Sequence, residues 1–189
     1  MSFITHSGYG YSEELCEDVT SWFLNNFFPR HKIEVQIEHR DLKEELVRGY
    51  CDVASWADPY RPRDFLIELD TYMTKELYIQ TLLHELTHLA QWIRGSLRHR
   101  YGKLCYCKTP VENWDYWHQP HEVEAREEEE RLYNWWLTDT FGVPEEEVAQ
   151  GSFPNRLCAL QLQSNQGNTT MNYTLKQLQE NVNRLCASV

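Results

Sequence analysis

No apolar run in the chain approaches the ~18 residues needed to span a bilayer. Met1–Gly10 is polar and has no apolar centre of the kind a secretory leader carries. Basic residues are also scarce: 18 Lys and Arg stand against 29 Asp and Glu, a net charge of −11. A general grip on nucleic acid relies on clustered cations and is therefore not expected. The cluster of Arg94, Arg98, His99, Arg100 and Lys103 reads as a solvated loop. Paired CxxC motifs are missing. Six cysteines (Cys16, Cys51, Cys105, Cys107, Cys158, Cys186) lie scattered, without the spacing of a disulfide framework. A reduced, cytoplasmic setting is the expectation. Cys105 and Cys107, with His99 nearby, read as free thiols in preference to a second, structural ion site. No internal repeat stands out. What remains is 41% hydrophobic and 13% aromatic over 189 residues, enough for one globular domain with its own core.

Within it, Thr81–Trp92 reads TLLHELTHLAQW and contains the pattern HExxH at His84-Glu85-Leu86-Thr87-His88. Four residues along a helix bring side chains one above the other, about 6 Å apart along the axis. Two imidazoles so placed reach one ion at roughly 2.0–2.1 Å, and Glu85 can address a water on that ion without binding it. The spacing predicts a helix over Lys75–Arg94, with Thr74 as N-cap, Glu76 in the first turn, Arg94 in the last and Gly95 as C-cap. Leu77, Leu82, Leu83, Leu86, Leu89, Ala90 and Ile93 wrap most of its circumference, so it should be buried on nearly every side. Two His and a Glu inside such a helix are costly without a compensating partner.

A catalytic zinc site needs a third protein ligand and leaves the fourth position to water. The downstream candidates are His99, Glu112, Asp115, His118, His121, Glu122 and Glu124. Pro120 can open a second helix, which continues through Leu132, Tyr133, Trp136 and Leu137 at helical spacing. The segment Pro120-His121-Glu122-Val123-Glu124-Ala125 resembles that of glutamate-ligated zinc peptidases, the gluzincins, which carry the third ligand in a Glu-Ala element of this kind. The resemblance implies Glu124 as ligand, with Glu128 one turn on to hold a ligating His. Glu122 is the reserve, because Arg126 stands at its corresponding position and cannot accept a hydrogen bond.

Upstream, Lys32–Glu38 alternates apolar and polar residues as a half-buried strand. Gly49–Trp56 and Asp64–Leu69 are further strand candidates, and Ser12 caps a helix reaching about Phe27. This order, with the stretch from Gly49 to Trp92, resembles the SprT-like (Spartan-type) metallopeptidases over residues 12–137. In them a short meander precedes a helix opening T-x-x-H-E-x-x-H. Those proteins complete the site with a third His, whereas this chain offers a Glu as in small gluzincins of the ImmA/IrrE type. The DNA-linked roles of Spartan proteins are not carried over. The resemblance implies an α+β minimal zincin fold: an N-terminal helix, a three-stranded sheet, the HExxH helix and a Glu-bearing helix. The metallopeptidase domain is expected over 1–150. A C-terminal extension over 151–189 follows, with an amphipathic helix at 171–185 that packs on the domain or on a partner helix.

The chemistry so implied is hydrolysis of a protein or peptide substrate by a Zn2+-activated water, with Glu85 as general base. Phe65–Leu69 is the candidate edge strand for aligning an extended substrate. His118, His121 and Tyr116 are the candidate oxyanion donors. Trp114, Tyr116, Trp117, Trp135 and Trp136 either line the site or belong to the core. Two alternatives remain: a zinc hydrolase of a non-peptide substrate, and an inactive zinc-binding regulatory or interaction protein. Glu85 argues against the latter, since a structural site has no use for that carboxylate.

Overall fold

The computed structural model describes residues 2–58 and 60–142. The expected helix at 171–185 and the short helix expected at Pro144–Val148 lie outside them. The chain divides at Leu137, and of its second unit only the end of one helix is described. The described elements run β1 (Phe3–Gly8), α1 (Glu13–Phe27), β2 (Glu34–Arg40), β3 (Gly49–Val53), β4 (Asp64–Asp70), α2 (Lys75–Arg94), β5 (Leu97–Arg100), β6 (Lys103–Tyr106), β7 (Thr109–Pro110) and α3 (Pro120–Phe141), with short 3-10 turns between several of them. The class is α+β.

The main sheet has four strands in the order β1-β2-β4-β3, one more than expected. β1 and β2 run parallel across the α1 connection, and β2 and β4 are parallel in the register Val35↔Phe65 and Ile37↔Ile67. β3 closes one edge antiparallel to β4, with Gly49 opposite Leu69. Phe65–Leu69 is therefore an interior strand, paired on both sides, and cannot be the aligning edge. Among the described strands the edges of this sheet are β1 and β3. The alternation read from sequence is the pleat itself: Val35, Ile37, Phe65, Ile67 and Leu69 are buried, the residues between them only partly so.

Two helices supply the rest of this core. Ser12 accepts from the Leu15 amide to open α1, which buries Cys16, Val19, Thr20, Phe23 and Leu24. α2 keeps the expected bounds because both ends are fixed chemically. Thr74 accepts from the Leu77 amide, and Gly95, at φ 80°, takes the left-handed turn that ends the helix on the Gln91 and Trp92 carbonyls. Thirteen residues of α2 are buried. At ~1.5–3 kcal/mol for each fully buried large apolar side chain, packing outweighs intrinsic helix propensity here. Trp136 is buried in the core, whereas Trp135 is exposed and packs edge-on against Trp22 and Phe27 at its margin. The stretch after α2 is a small second sheet, β5-β6-β7, where sequence suggested only a connector.

Candidate metal centre

His84 and His88 lie one turn apart on α2, their rings edge-on with centroids 4.8 Å apart. Their Nε2 atoms are 3.2 Å from each other. Each ring is held from behind. His84 Nδ1 is 2.9 Å from Glu129 Oε2, and His88 Nδ1 is 2.9 Å from Gln91 Oε1. A carboxylate or amide oxygen can only accept, so each Nδ1 carries the hydrogen in the neutral imidazole and each Nε2 is left with its lone pair. With both rings neutral, two lone pairs face one another, an arrangement that a shared cation relieves, whether a proton or a metal ion.

The third side chain is Glu122, at the start of α3. One carboxylate oxygen is 3.4 Å from His84 Nε2 and the other 3.5 Å from His88 Nε2. His84, His88 and Glu122 form the one group among the described residues whose His, Cys, Asp or Glu ligand atoms all lie within 4.8 Å of each other. Bonds of roughly 2.0–2.1 Å at tetrahedral angles put neighbouring donor atoms about 3.3 Å apart. The imidazole nitrogens stand close to that value and the carboxylate turns one oxygen toward each of them, so the donor set can close on a divalent ion with a small movement of Glu122.

This corrects the choice made from sequence. Glu124 faces away from the imidazole pair; its Oε2 accepts from Gln91 Nε2 at 2.8 Å and from the Tyr106 hydroxyl at 2.7 Å. Glu128 does not hold a His, because it pairs with Arg131. The acceptor on His84 is Glu129. Gln91, Glu129 and Tyr106 were not anticipated. Gln91 carried a readable signal, since an amide three residues after His88 in an otherwise apolar helix requires polar company.

Electrostatics follow from this crowding. Burial pushes the His84 imidazolium down, but hydrogen bonds to Glu122 and Glu129 overcome it and raise the pKa to about 9. The acids around His84 favour positive charge there. Burial likewise works to raise Glu122, yet His84 and His88 hold it well below the usual carboxylate range. Glu85, 5% exposed, is pushed up to about 7 by burial, with His88 and His84 opposing. Gly49 of β3 lies against it, so close that a Cβ there would sit 2.8 Å from Glu85 Oε1.

The three oxyanion candidates separate. His118 is exposed and bound to Asp115. His121 is buried beside Glu122, 3.6 Å away, and burial drives its pKa down to about 4. Tyr116 is half exposed; burial and then the nearby Glu122 charge raise its phenol. Of the other third-ligand candidates, His99 packs on Trp92 in the small sheet, and Glu112 pairs with Lys103. Cys105 and Cys107 are free thiols. No helix among the described residues is long and apolar enough to cross a membrane. Comparison of the chain with protein-family models, with curated proteins and with solved structures found no match, so the functional reading rests on this geometry.

Proposed function

We propose that the chain is a zinc-dependent endopeptidase of the HExxH type, with His84, His88 and Glu122 as the metal ligands. The carrying observation is the convergence of two imidazole nitrogens and one carboxylate, with their ligand atoms all within 4.8 Å of one another. Zn2+ there supplies Lewis-acid activation of a water and of the substrate carbonyl.

The rest belongs to the chain. Glu85 follows the first ligand directly and is no part of the ligand group. Its carboxylate, which burial biases toward taking up a proton, can accept one from the attacking water and return it to the departing amine. Burial of that carboxylate keeps bulk water from competing for the proton. Among the described residues β3 borders β4 alone, leaving one side of its backbone to pair with an extended peptide, and Gly49 brings that backbone directly onto Glu85. This favours a peptide over a small non-peptide substrate. Of the three oxyanion candidates, His121 lies against Glu122 and beside His88, and Tyr116 has a phenol that feels the Glu122 and Glu85 charges.

The test is zinc stoichiometry by metal analysis, combined with cleavage of a proteome-derived peptide library. Wild type is expected to bind one zinc and cleave. Glu85→Gln should keep the zinc and lose cleavage. Failure of the zinc-loaded wild type to cut any peptide, or cutting that survives Glu85→Gln, would overturn the proposal.

A further inference from the structure

We propose that Glu124 is a positioning residue: with Tyr106 of the small sheet it holds the Gln91 amide in one orientation and so decides which nitrogen of His88 carries the proton. The consequence for metal affinity rests on the zinc reading above; the lock itself does not.

Gln91 is 1% exposed and its amide is fully engaged. Nε2 donates to the His121 carbonyl at 2.9 Å and to Glu124 Oε2 at 2.8 Å. The second of these acceptors is anchored by the Tyr106 hydroxyl, which reaches the same oxygen from β6 at 2.7 Å. Turning the amide over would set its oxygen against a carbonyl and a carboxylate, acceptor against acceptor, in a buried place. The amide oxygen is therefore committed to His88, 2.9 Å from Nδ1. His88 must donate there, and its Nε2 lone pair is presented to the site. A chain of four side chains thus runs from the small sheet through α3 and α2 to a candidate ligand. Glu129 does the same for His84 in one step.

The experiment has two readouts on the full chain. The first is 15N NMR of the histidine rings in metal-free protein, which reports the His88 tautomer. The second is titration with Co2+, followed by its visible absorption. The variants are Glu124→Gln, Glu124→Leu and Tyr106→Phe. A Gln at 124 keeps an amide oxygen that accepts from the same two donors, whereas a Leu keeps none. Glu124→Gln is expected to preserve the Nδ1–H tautomer and Co2+ affinity. Glu124→Leu should give a mixed tautomer and weaken Co2+ by about 10–100-fold, the usual effect of losing such a supporting contact. Tyr106→Phe should fall between, and it serves as the deciding variant if Glu124→Leu does not fold.

An unchanged tautomer and affinity in both Glu124→Leu and Tyr106→Phe would overturn the lock. Equal loss of Co2+ in Glu124→Gln and Glu124→Leu would also overturn it, by making the carboxylate itself the requirement. If wild type binds no Co2+ while its His88 tautomer still shifts in Glu124→Leu, the zinc reading fails and the lock stands.

Discussion

Replacing Gly49 with Ala is a sharp perturbation of the proposed chemistry, because the added methyl meets the Glu85 carboxyl group first. Gly49 is not held in the left-handed region; the residue provides room. A Cβ at 49 lies 2.8 Å from Glu85 Oε1, 3.0 Å from its Cγ and 3.1 Å from the Glu68 carbonyl. Ordinary contact begins at 3.4 Å, so the Glu85 carboxyl must retreat by about 0.6 Å. It sits at the end of a flexible side chain and can do so cheaply. The stability cost should therefore fall at or below the lower end of the ~1–3 kcal/mol typical of overpacking. The chemical cost is larger. A displacement of about 1 Å can cost on the order of 10²-fold in rate, so the expected loss is about tenfold in kcat, or ~1.4 kcal/mol. Zinc content and KM should hold, since neither the ligand group nor the backbone of β3 is altered. Steady-state kinetics on a fluorogenic peptide drawn from the library, with zinc analysis and a melting curve, measures all four quantities. Undiminished kcat in a zinc-loaded, normally folded Gly49→Ala would refute the assignment of Glu85 as the acting base in this position.

Three further outcomes are expected. With zinc at a thousandfold excess over its dissociation constant, linkage supplies about 4 kcal/mol, so chelation should lower Tm by about 8–16 °C in calorimetry; an unmoved transition would mean the native fold holds no zinc. Glu129→Leu should weaken zinc by about 10–100-fold in a competition assay while Glu128→Leu leaves it unchanged, because only the former bonds to His84. His39 titrates below its usual 6.5 because burial disfavours the imidazolium, partly offset by the Ser7 carbonyl, with His6 nearby adding to the lowering; its Nε2 lies against the Tyr78 hydroxyl. Below pH 6.5 the unfolded chain takes up a proton that the folded one resists, so stability falls as pH drops through that value. Urea midpoints on either side of pH 6.5 should converge in His39→Gln, and an equal spread in both proteins would rule out His39 as a source.

Elements whose ends carry their own chemistry were legible in the sequence. α2 has a threonine that accepts at one end and a left-handed glycine at the other, and its bounds were read to the residue. β2 and β4 announce themselves by strict alternation. β1 does not: Phe3–Gly8 has no fully buried position, and it is a strand only because β2 pairs with it in parallel. The β5–β6 hairpin was hidden for a different reason. Its turn puts Tyr101 and Gly102 both at positive φ, and a tyrosine is not the Asn or Asp that normally marks such a turn. Neither flanking strand alternates in burial along its length.

The choice between Glu122 and Glu124 shows why a partner rule can mislead when the face of a helix is left undetermined. Two residues along α3 are about 200° apart, so only one of the pair can look at α2's imidazoles in a given rotation. That rotation is set by what α3 buries: Ala125, Leu132 and Trp136 form one stripe. Measured from Ala125, Glu129 lies about 40° away and Glu122 about 60° on the same side, whereas Glu124 lies about 100° away on the other. The apolar stripe therefore turns Glu122 and Glu129 toward one side of α3 and Glu124 toward the other. The test of an acidic residue four positions on favoured Glu124, since Arg126 disqualified its rival. That test assumed that a ligand's supporting acceptor must sit one turn beyond it. Here the acceptor for His84 stands two turns beyond Glu122, and the one for His88 comes from α2 itself. Arg126, far from spoiling the site, lies 3.8 Å from Glu122. There it offsets part of the negative charge that Glu85, Glu122 and Glu129 would otherwise concentrate around the proposed metal position.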